Sequence, residues 1–182
     1  VFEEGSKGLG LILLLLFFRR EFDDILDGIV YGGTIALGFA TVENVLYYGR
    51  GLVQGGFESL VVLFFLRGIL SPFAHVTFTA MTGIGCGIAR ESHKPEVRFL
   101  LPVVGYICAV LLHALWNGVA FLGGLGGFLI LYLIIEIPFF LIFVGFSAYV
   151  MNRQNKILRE MLAIDVARGL ITQEQFETAT SA

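Results

Sequence analysis

Acidic, amide and imidazole side chains interrupt stretches of this chain that are otherwise apolar. They form four clusters: Glu3 and Glu4 with Lys7, Glu43 with Asn44, His75 alone, and His113 with Asn117. An ionisable side chain at the depth of a membrane costs about 2.5 to 3.5 kcal/mol on insertion scales, so it usually has both a partner and a function. We therefore take the members of these clusters as candidate functional residues.

The clusters carry the groups that a hydrolase needs. A carboxylate beside a histidine can accept a proton from an attacking water, and Lys7 can neutralise one charge of the acidic pair that precedes it. Asn117, one helical turn after His113, offers an amide donor for a developing oxyanion. Glu43, His75 and His113 also form a common ligand set for catalytic zinc. The residues predict hydrolysis and leave a metal-free site and a zinc-dependent site both open.

Each cluster after the first lies on a helical face of small residues. Such faces let neighbouring helices approach closely in a membrane. Steps of four residues give three series: Gly28, Gly32, Ala36, Ala40 and Asn44; His75, Thr79, Gly83 and Gly87; Gly105, Ala109, His113 and Asn117. The polar side chains are therefore expected to point inward, between packed helices, and to meet in one pocket.

The composition is that of an integral membrane protein. Of the 182 residues, 57% are apolar and 15% are charged, and the mean hydropathy is +0.84. A soluble domain of this size needs less apolar surface. The net charge of −3, without a long basic run, argues against nucleic acid as a partner. Cys86 and Cys108 both fall in apolar segments and are given no role.

Apolar segments separated by charged or glycine-rich stretches predict an all-α transmembrane bundle of five or six membrane segments. A transmembrane domain is expected over 1–151, with loops at 49–56 and 123–127, a helix break at Pro72 and a kink at Pro138. Whether 57–70 crosses the bilayer fully is left open. Residues 152–182 form a polar, helix-prone tail, in which Thr172 and Gln175 match a capping box. The distribution of basic residues places this tail in the cytoplasm.

Three other residues in apolar segments have two interpretations each. Arg67 either reaches the membrane interface or pairs with an acid in the cavity. Glu136, just before Pro138, is either a substrate-gate residue or a helix-packing hydrogen-bonding group. Trp116 either packs or lines the cavity, which is the favoured interpretation, or takes part in the chemistry.

Several short motifs resemble those of one family of membrane proteases. EEGSK at residues 3–7, FATVEN at 39–44 and HALWN at 113–117 are similar to motifs of the PrsW-type intramembrane proteases, with order and spacing kept over about residues 1–120. That family is related to the type II CAAX prenyl proteases. The resemblance implies a multi-spanning bacterial peptidase that cuts membrane-tethered proteins, anti-sigma factors in the best-known case. It also implies a catalytic glutamate at Glu3 or Glu4 in a family usually classed as glutamic, without a metal.

Together these observations predict an intramembrane endopeptidase of the bacterial cytoplasmic membrane, acting on a single-pass membrane protein. The predicted catalytic residues are Glu3, Glu4, Glu43, His75, His113 and Asn117. Two other functions fit the same residues. Chains of acids and histidines also serve proton-coupled or metal-ion carriers, and a CAAX-type prenyl protease would differ only in its substrate.

Overall fold

A computed structural model of the protein describes residues 1–122 and 124–180, which are almost entirely helical and contain no strand. This confirms the all-α prediction. The α-helices are α1 (Phe2–Phe17), α2 (Ile25–Leu63), α3 (Pro72–Glu91), α4 (Pro95–Leu122), α5 (Gly124–Leu131), α6 (Ile137–Ala167) and α7 (Gln173–Thr180). Two π-helical segments, Phe64–Leu70 and Tyr132–Glu136, lie before α3 and α6.

Within the described residues, three stretches are long and apolar enough to cross a membrane: Ile25–Glu91, Pro95–Gly118 and Tyr132–Ala167. The first has 67 residues, which would make about 100 Å of straight helix against a hydrocarbon core of about 30 Å. It turns at Gly56, where φ is +68°, and the returning part is interrupted at Ser71, between the π-helical segment and α3. The number of crossings stays a prediction.

Large apolar side chains cover the outside of the described helices, whereas several of the most buried side chains are polar or charged. Glu4, Lys7, Thr77 and Thr79 are all almost completely buried. A membrane environment explains this arrangement. Apolar side chains can face lipid, whereas a polar group that faces hydrocarbon has no hydrogen-bond partner and is therefore placed between helices.

Helix α3 packs between α2 and α4, and α1 contacts all three. The small-residue faces make this possible. A Cβ atom added to Gly28 would overlap the backbone carbonyl of Gly83, and one added to Gly105 would overlap the carbonyl of Met81. The backbones of neighbouring helices thus touch directly, as the spacing of small residues predicted.

The predicted loop at 49–56 is wrong. These residues continue α2, and only Gly56 leaves the helical conformation. The glycines serve packing instead, because Cβ atoms on Gly51 and Gly55 would collide with the side chains of Leu63 and Ser59 in the segment that returns along α2. The predicted connection at 123–127 is corrected in part: residues 124–127 begin α5, and Gly123 lies outside the described residues.

The kink expected at Pro138 stays a prediction, and the structure has a π-helical segment just before this proline, ending at Glu136. Proline lacks an N–H donor and its ring clashes with the carbonyl four residues earlier, so a widened turn relieves the contact.

The predicted capping box at Thr172 and Gln175 is confirmed. The N–H of Gln175 donates to Thr172 Oγ1 over 3.2 Å, and the N–H of Thr172 donates to Gln175 Oε1 over 2.8 Å.

The chain divides into two compact units, Val1–Ile142 and Phe143–Ala182. All the candidate functional residues belong to the first unit. The domain boundary expected between residues 151 and 152 stays a prediction.

Candidate active site

A buried ion pair on α1 lies at the centre of the site. Lys7 Nζ contacts Glu4 Oε1, and the two side chains are 1% and 0% exposed. Their spacing of three residues places them on one face of the helix. Thr79 on α3 donates its hydroxyl to the other carboxylate oxygen, Glu4 Oε2, over 3.0 Å. Both oxygens of Glu4 therefore have partners, which a buried carboxylate requires.

His113 on α4 lies between the two adjacent glutamates. Its Nδ1 is 2.8 Å from Glu4 Oε1, and its Nε2 is 3.3 Å from Glu3 Oε2. A carboxylate at Nδ1 favours the tautomer that carries its proton there. The Glu3 oxygen is buried without a hydrogen-bond partner among the described residues, although 39% of the Glu3 side chain is exposed. The position between His113 Nε2 and Glu3 suits a proton or a cation.

His75 on α3 brings a second imidazole to this position. Its ring is perpendicular to that of His113, with the centroids 5.3 Å apart. Its Nε2 lies 3.4 Å from Glu43 Oε2. Its other nitrogen, Nδ1, is buried and has no hydrogen-bond partner in the described part of the chain.

Glu43 belongs to a second layer of the site, fixed by Arg67. The guanidinium lies 2.7 Å from Glu43 Oε2, donates through Nε to Asn44 Oδ1 over 3.2 Å and stacks 3.7 Å above the ring of Tyr47. Asn44 in turn donates to the Arg67 carbonyl over 3.2 Å. The returning segment after Gly56 is thus tied to α2 at the acidic motif. Of the two interpretations of Arg67, pairing with an acid is confirmed.

Three residues lie close enough to hold a metal ion: Glu3, His75 and His113, with potential ligand atoms within 4.8 Å of one another. The expected zinc set contained Glu43 in place of Glu3. In the structure Glu43 already faces the Arg67 cation, and Glu3 takes its place in the three-residue group. The donor set of two imidazoles and one carboxylate remains the one that zinc prefers.

Asn117 is not brought into the cluster. Asn117 is exposed, and among the described residues it makes no hydrogen bond to the glutamates or histidines of the cluster. The reason is geometric, because each step of four residues advances about 40° around a helix. Three such steps rotate Asn117 by about 120° from Gly105, while Ala109 and His113 remain buried. Its role at an oxyanion stays a prediction.

Sequence reasoning did not assign two residues of the site. The spacing indicates only that Thr79 is a small residue on the α3 face, yet it is a hydrogen-bond donor to Glu4. The sequence allows two roles for Glu136, which is 7% exposed with its Oε1 lacking a hydrogen bond within the described residues. Glu136 could have been recognised as a functional residue because it is a carboxylate inside an apolar segment. For Thr79, the only indication in the sequence is its spacing of four residues from His75.

This fold and this site define a helical membrane protein with an acid and histidine cluster buried between its helices. A family described as PrsW family intramembrane metalloprotease matches residues 1–143. The chain belongs to that family, which confirms the resemblance of its motifs.

Curated relatives named Protease PrsW match the same region. The protein from Oceanobacillus iheyensis is 29% identical over 146 residues, covering 80% of this chain and 60% of the relative. The protein from Bacillus subtilis is 32% identical over 117 residues, covering 64% of this chain and 49% of the relative. The protein from Clostridioides difficile is 34% identical over 120 residues, covering 63% of this chain and 46% of the relative. The chain thus spans about half the length of these relatives. No solved structure matches it.

The geometry around Arg67 predicts that its charge stabilises the fold through Glu43. Arg67→Met leaves a largely buried carboxylate without its cation, and it should lower the free energy of unfolding by about 2 kcal/mol. Adding Glu43→Gln should restore part of this loss, since the neutral amide does not need the cation. Thermal unfolding in detergent measures both effects.

Arg50→Met is the matched control, since Arg50 lies on the same helix as Glu43 and is exposed. Equal destabilisation by Arg67→Met and Arg50→Met, or strictly additive effects of Arg67→Met and Glu43→Gln, would contradict this account of the ion pair.

Proposed function

We propose that this chain is the catalytic part of an intramembrane endopeptidase that hydrolyses a peptide bond of a membrane-tethered protein. The observation that carries the proposal is the position of His113, whose two ring nitrogens face two different glutamates inside a helical membrane bundle. Family membership supports the same conclusion.

In this proposal Glu4 is a positioning residue. It is fully buried, and Lys7, Thr79 and His113 occupy its oxygens. A carboxylate that accepts the Nδ1 proton of a histidine fixes the orientation and tautomer of the ring. The lone pair of His113 Nε2 is thereby directed toward Glu3, on the side of the ring away from Glu4.

Glu3 is the proposed general base. Its buried oxygen has no hydrogen bond to another described residue, so it can accept a proton from a water bound beside His113 Nε2. The water oxygen then forms a bond to the carbonyl carbon, and the water proton moves to Glu3. When the carbon–nitrogen bond breaks, that proton is delivered to the leaving amine. His75, Glu43 and Asn117 are proposed to support the site, with His75 nearest to the reacting water.

The same atoms fit a divalent cation. Glu3, His75 and His113 would hold zinc, and two of these residues carry buried polar atoms without hydrogen bonds among the described residues. A bound zinc ion would acidify water and polarise the substrate carbonyl. The hydrogen bond from His113 to Glu4 matches the carboxylate partner that metal-binding histidines almost always have.

The proposed substrate is a single-pass membrane protein of the anti-sigma-factor type, as the family resemblance implies. The proposed location is the bacterial cytoplasmic membrane, with the C-terminal tail in the cytoplasm. A scissile bond must enter the bundle to reach His113, because the cluster is buried between α1, α3 and α4.

Glu3→Gln and His113→Ala should each reduce cleavage of a co-expressed single-pass anti-sigma factor by about 10²-fold or more, because Glu3 accepts the water proton and His113 positions the water beside its Nε2. Cleavage is read as the ratio of shortened to full-length substrate on an immunoblot. Glu3 is the sharper test, since it lies outside the buried ion pair and its loss leaves Lys7 paired with Glu4.

The matched controls are Glu58→Gln and His93→Ala, which change an exposed glutamate and the third histidine, also exposed. Both should cleave the substrate like the unaltered protein. Full cleavage by Glu3→Gln and His113→Ala at normal protein levels would overturn the proposal.

A zinc-dependent site, the second form of this proposal, predicts about one zinc ion per purified chain. Glu3→Gln and His75→Ala should lose the metal, whereas Glu43→Gln and His93→Ala should retain it, because neither Glu43 nor His93 belongs to the three-residue group. Elemental analysis of the variants measures this. Full activity of a protein freed of metal by chelation would instead identify a glutamic peptidase.

A further inference from the structure

A pocket opens beside the cluster and has no role in the chemistry proposed above. The residues that line it include Phe78, Leu112, Leu115, Trp116, Tyr132 and Glu136. The space that a water-sized sphere can occupy is about 30 Å³, enough for a water molecule or for the end of a narrow side chain.

The pocket begins one aromatic ring away from the reacting groups. The ring centroid of Phe78 is 5.6 Å from that of His113 and 6.4 Å from that of Trp116. Trp116 follows His113 by three residues on α4, so both side chains lie on neighbouring parts of one face. A substrate whose carbonyl carbon lies at His113 therefore places a neighbouring side chain against Phe78 and Trp116.

Glu136 is an unusual lining residue for such an apolar pocket. It is 7% exposed, its Oε1 has no hydrogen-bond partner among the described residues, and no described cation pairs with it. The nearby hydroxyl of Tyr132 donates to the Leu70 carbonyl over 3.1 Å. A buried carboxylate without a donor is costly, and the π-helical segment that carries it is of a kind frequent at functional sites. The carboxylate is thus available to a ligand.

We propose that this pocket binds a lysine or arginine side chain of the substrate next to the scissile bond, with Glu136 as its counter-ion. This inference rests on the proposed function. Trp116 and Tyr132, whose ring centroids are 6.0 Å apart, favour a cation through their π faces, and their apolar surfaces pack against the methylene stem. An uncharged side chain of equal length would fill the same space but leave Glu136 without a partner, so the pocket selects by charge.

Trp116 is the only tryptophan of the chain, so its fluorescence reports on this pocket directly. The probes are dodecanoyl-lysine amide and dodecanoyl-norleucine amide, titrated into the purified full chain in detergent. The lysine probe should change Trp116 emission with about tenfold higher affinity than the norleucine probe, because only lysine pairs with the carboxylate. Glu136→Gln should reduce this preference to about twofold or less, and Glu58→Gln should leave it unchanged.

Binding is measured without proteolysis, so the two proposals fail separately. The cleavage-deficient Glu3→Gln variant should retain the preference for lysine, since Glu3 does not line the pocket. Equal affinity for the two probes, or a preference that survives Glu136→Gln, would overturn the proposed pocket while leaving the peptidase proposal intact. A lysine preference that depends on Glu136 would support the pocket even if no membrane substrate were cleaved.

Discussion

The ion pair of Glu4 and Lys7 is the interaction on which the rest of the site depends. Removing two charges from water carries an effective penalty of several kcal/mol for each ion, and their mutual attraction compensates only if hydrogen bonds occupy the remaining atoms. Thr79 and His113 provide those hydrogen bonds from two other helices. Three helices are therefore held in register by the partners that one buried carboxylate requires, and the orientation of His113 follows from the same requirement.

Close packing of helix backbones brings the polar side chains of the site together. Lipid offers no hydrophobic driving force between helices, so association relies on packing and on polar contacts. Where Gly28 meets Gly83, no side chain separates α2 from α3, and the polar residues further along these helices are brought within reach of one another. The result is two layers. Glu3 and His113 form one with the ion pair, Glu43 and Arg67 form the other, and His75 contacts both.

The sequence was most informative where a periodic pattern and a local motif agreed. The buried faces that carry His75 and His113 follow from their spacing to small residues, and the capping box at Thr172 follows from local chemistry. Residues 49–56 were mispredicted because glycine is used both in loops and for close packing, and only the fold shows which use applies. The choice between Glu3 and Glu43 beside the histidines depends on how α1 and the Arg67 segment dock, and spacing along the chain contains no information about that. Asn117 shows the limit of the rule of four, which drifts around the helix over several steps.

Proton NMR of protein in lipid, labelled with nitrogen-15 at its histidines, tests the central claim directly, because the chain has only three histidines. The account predicts that the Nδ1 proton of His113, shared with Glu4 over 2.8 Å, resonates far downfield of the ring protons of exposed His93. It should move upfield in Glu4→Gln, while the His93 signals stay in place. A His113 spectrum that resembles that of His93 and is unchanged by Glu4→Gln would contradict the convergence of acids and histidines in one buried site.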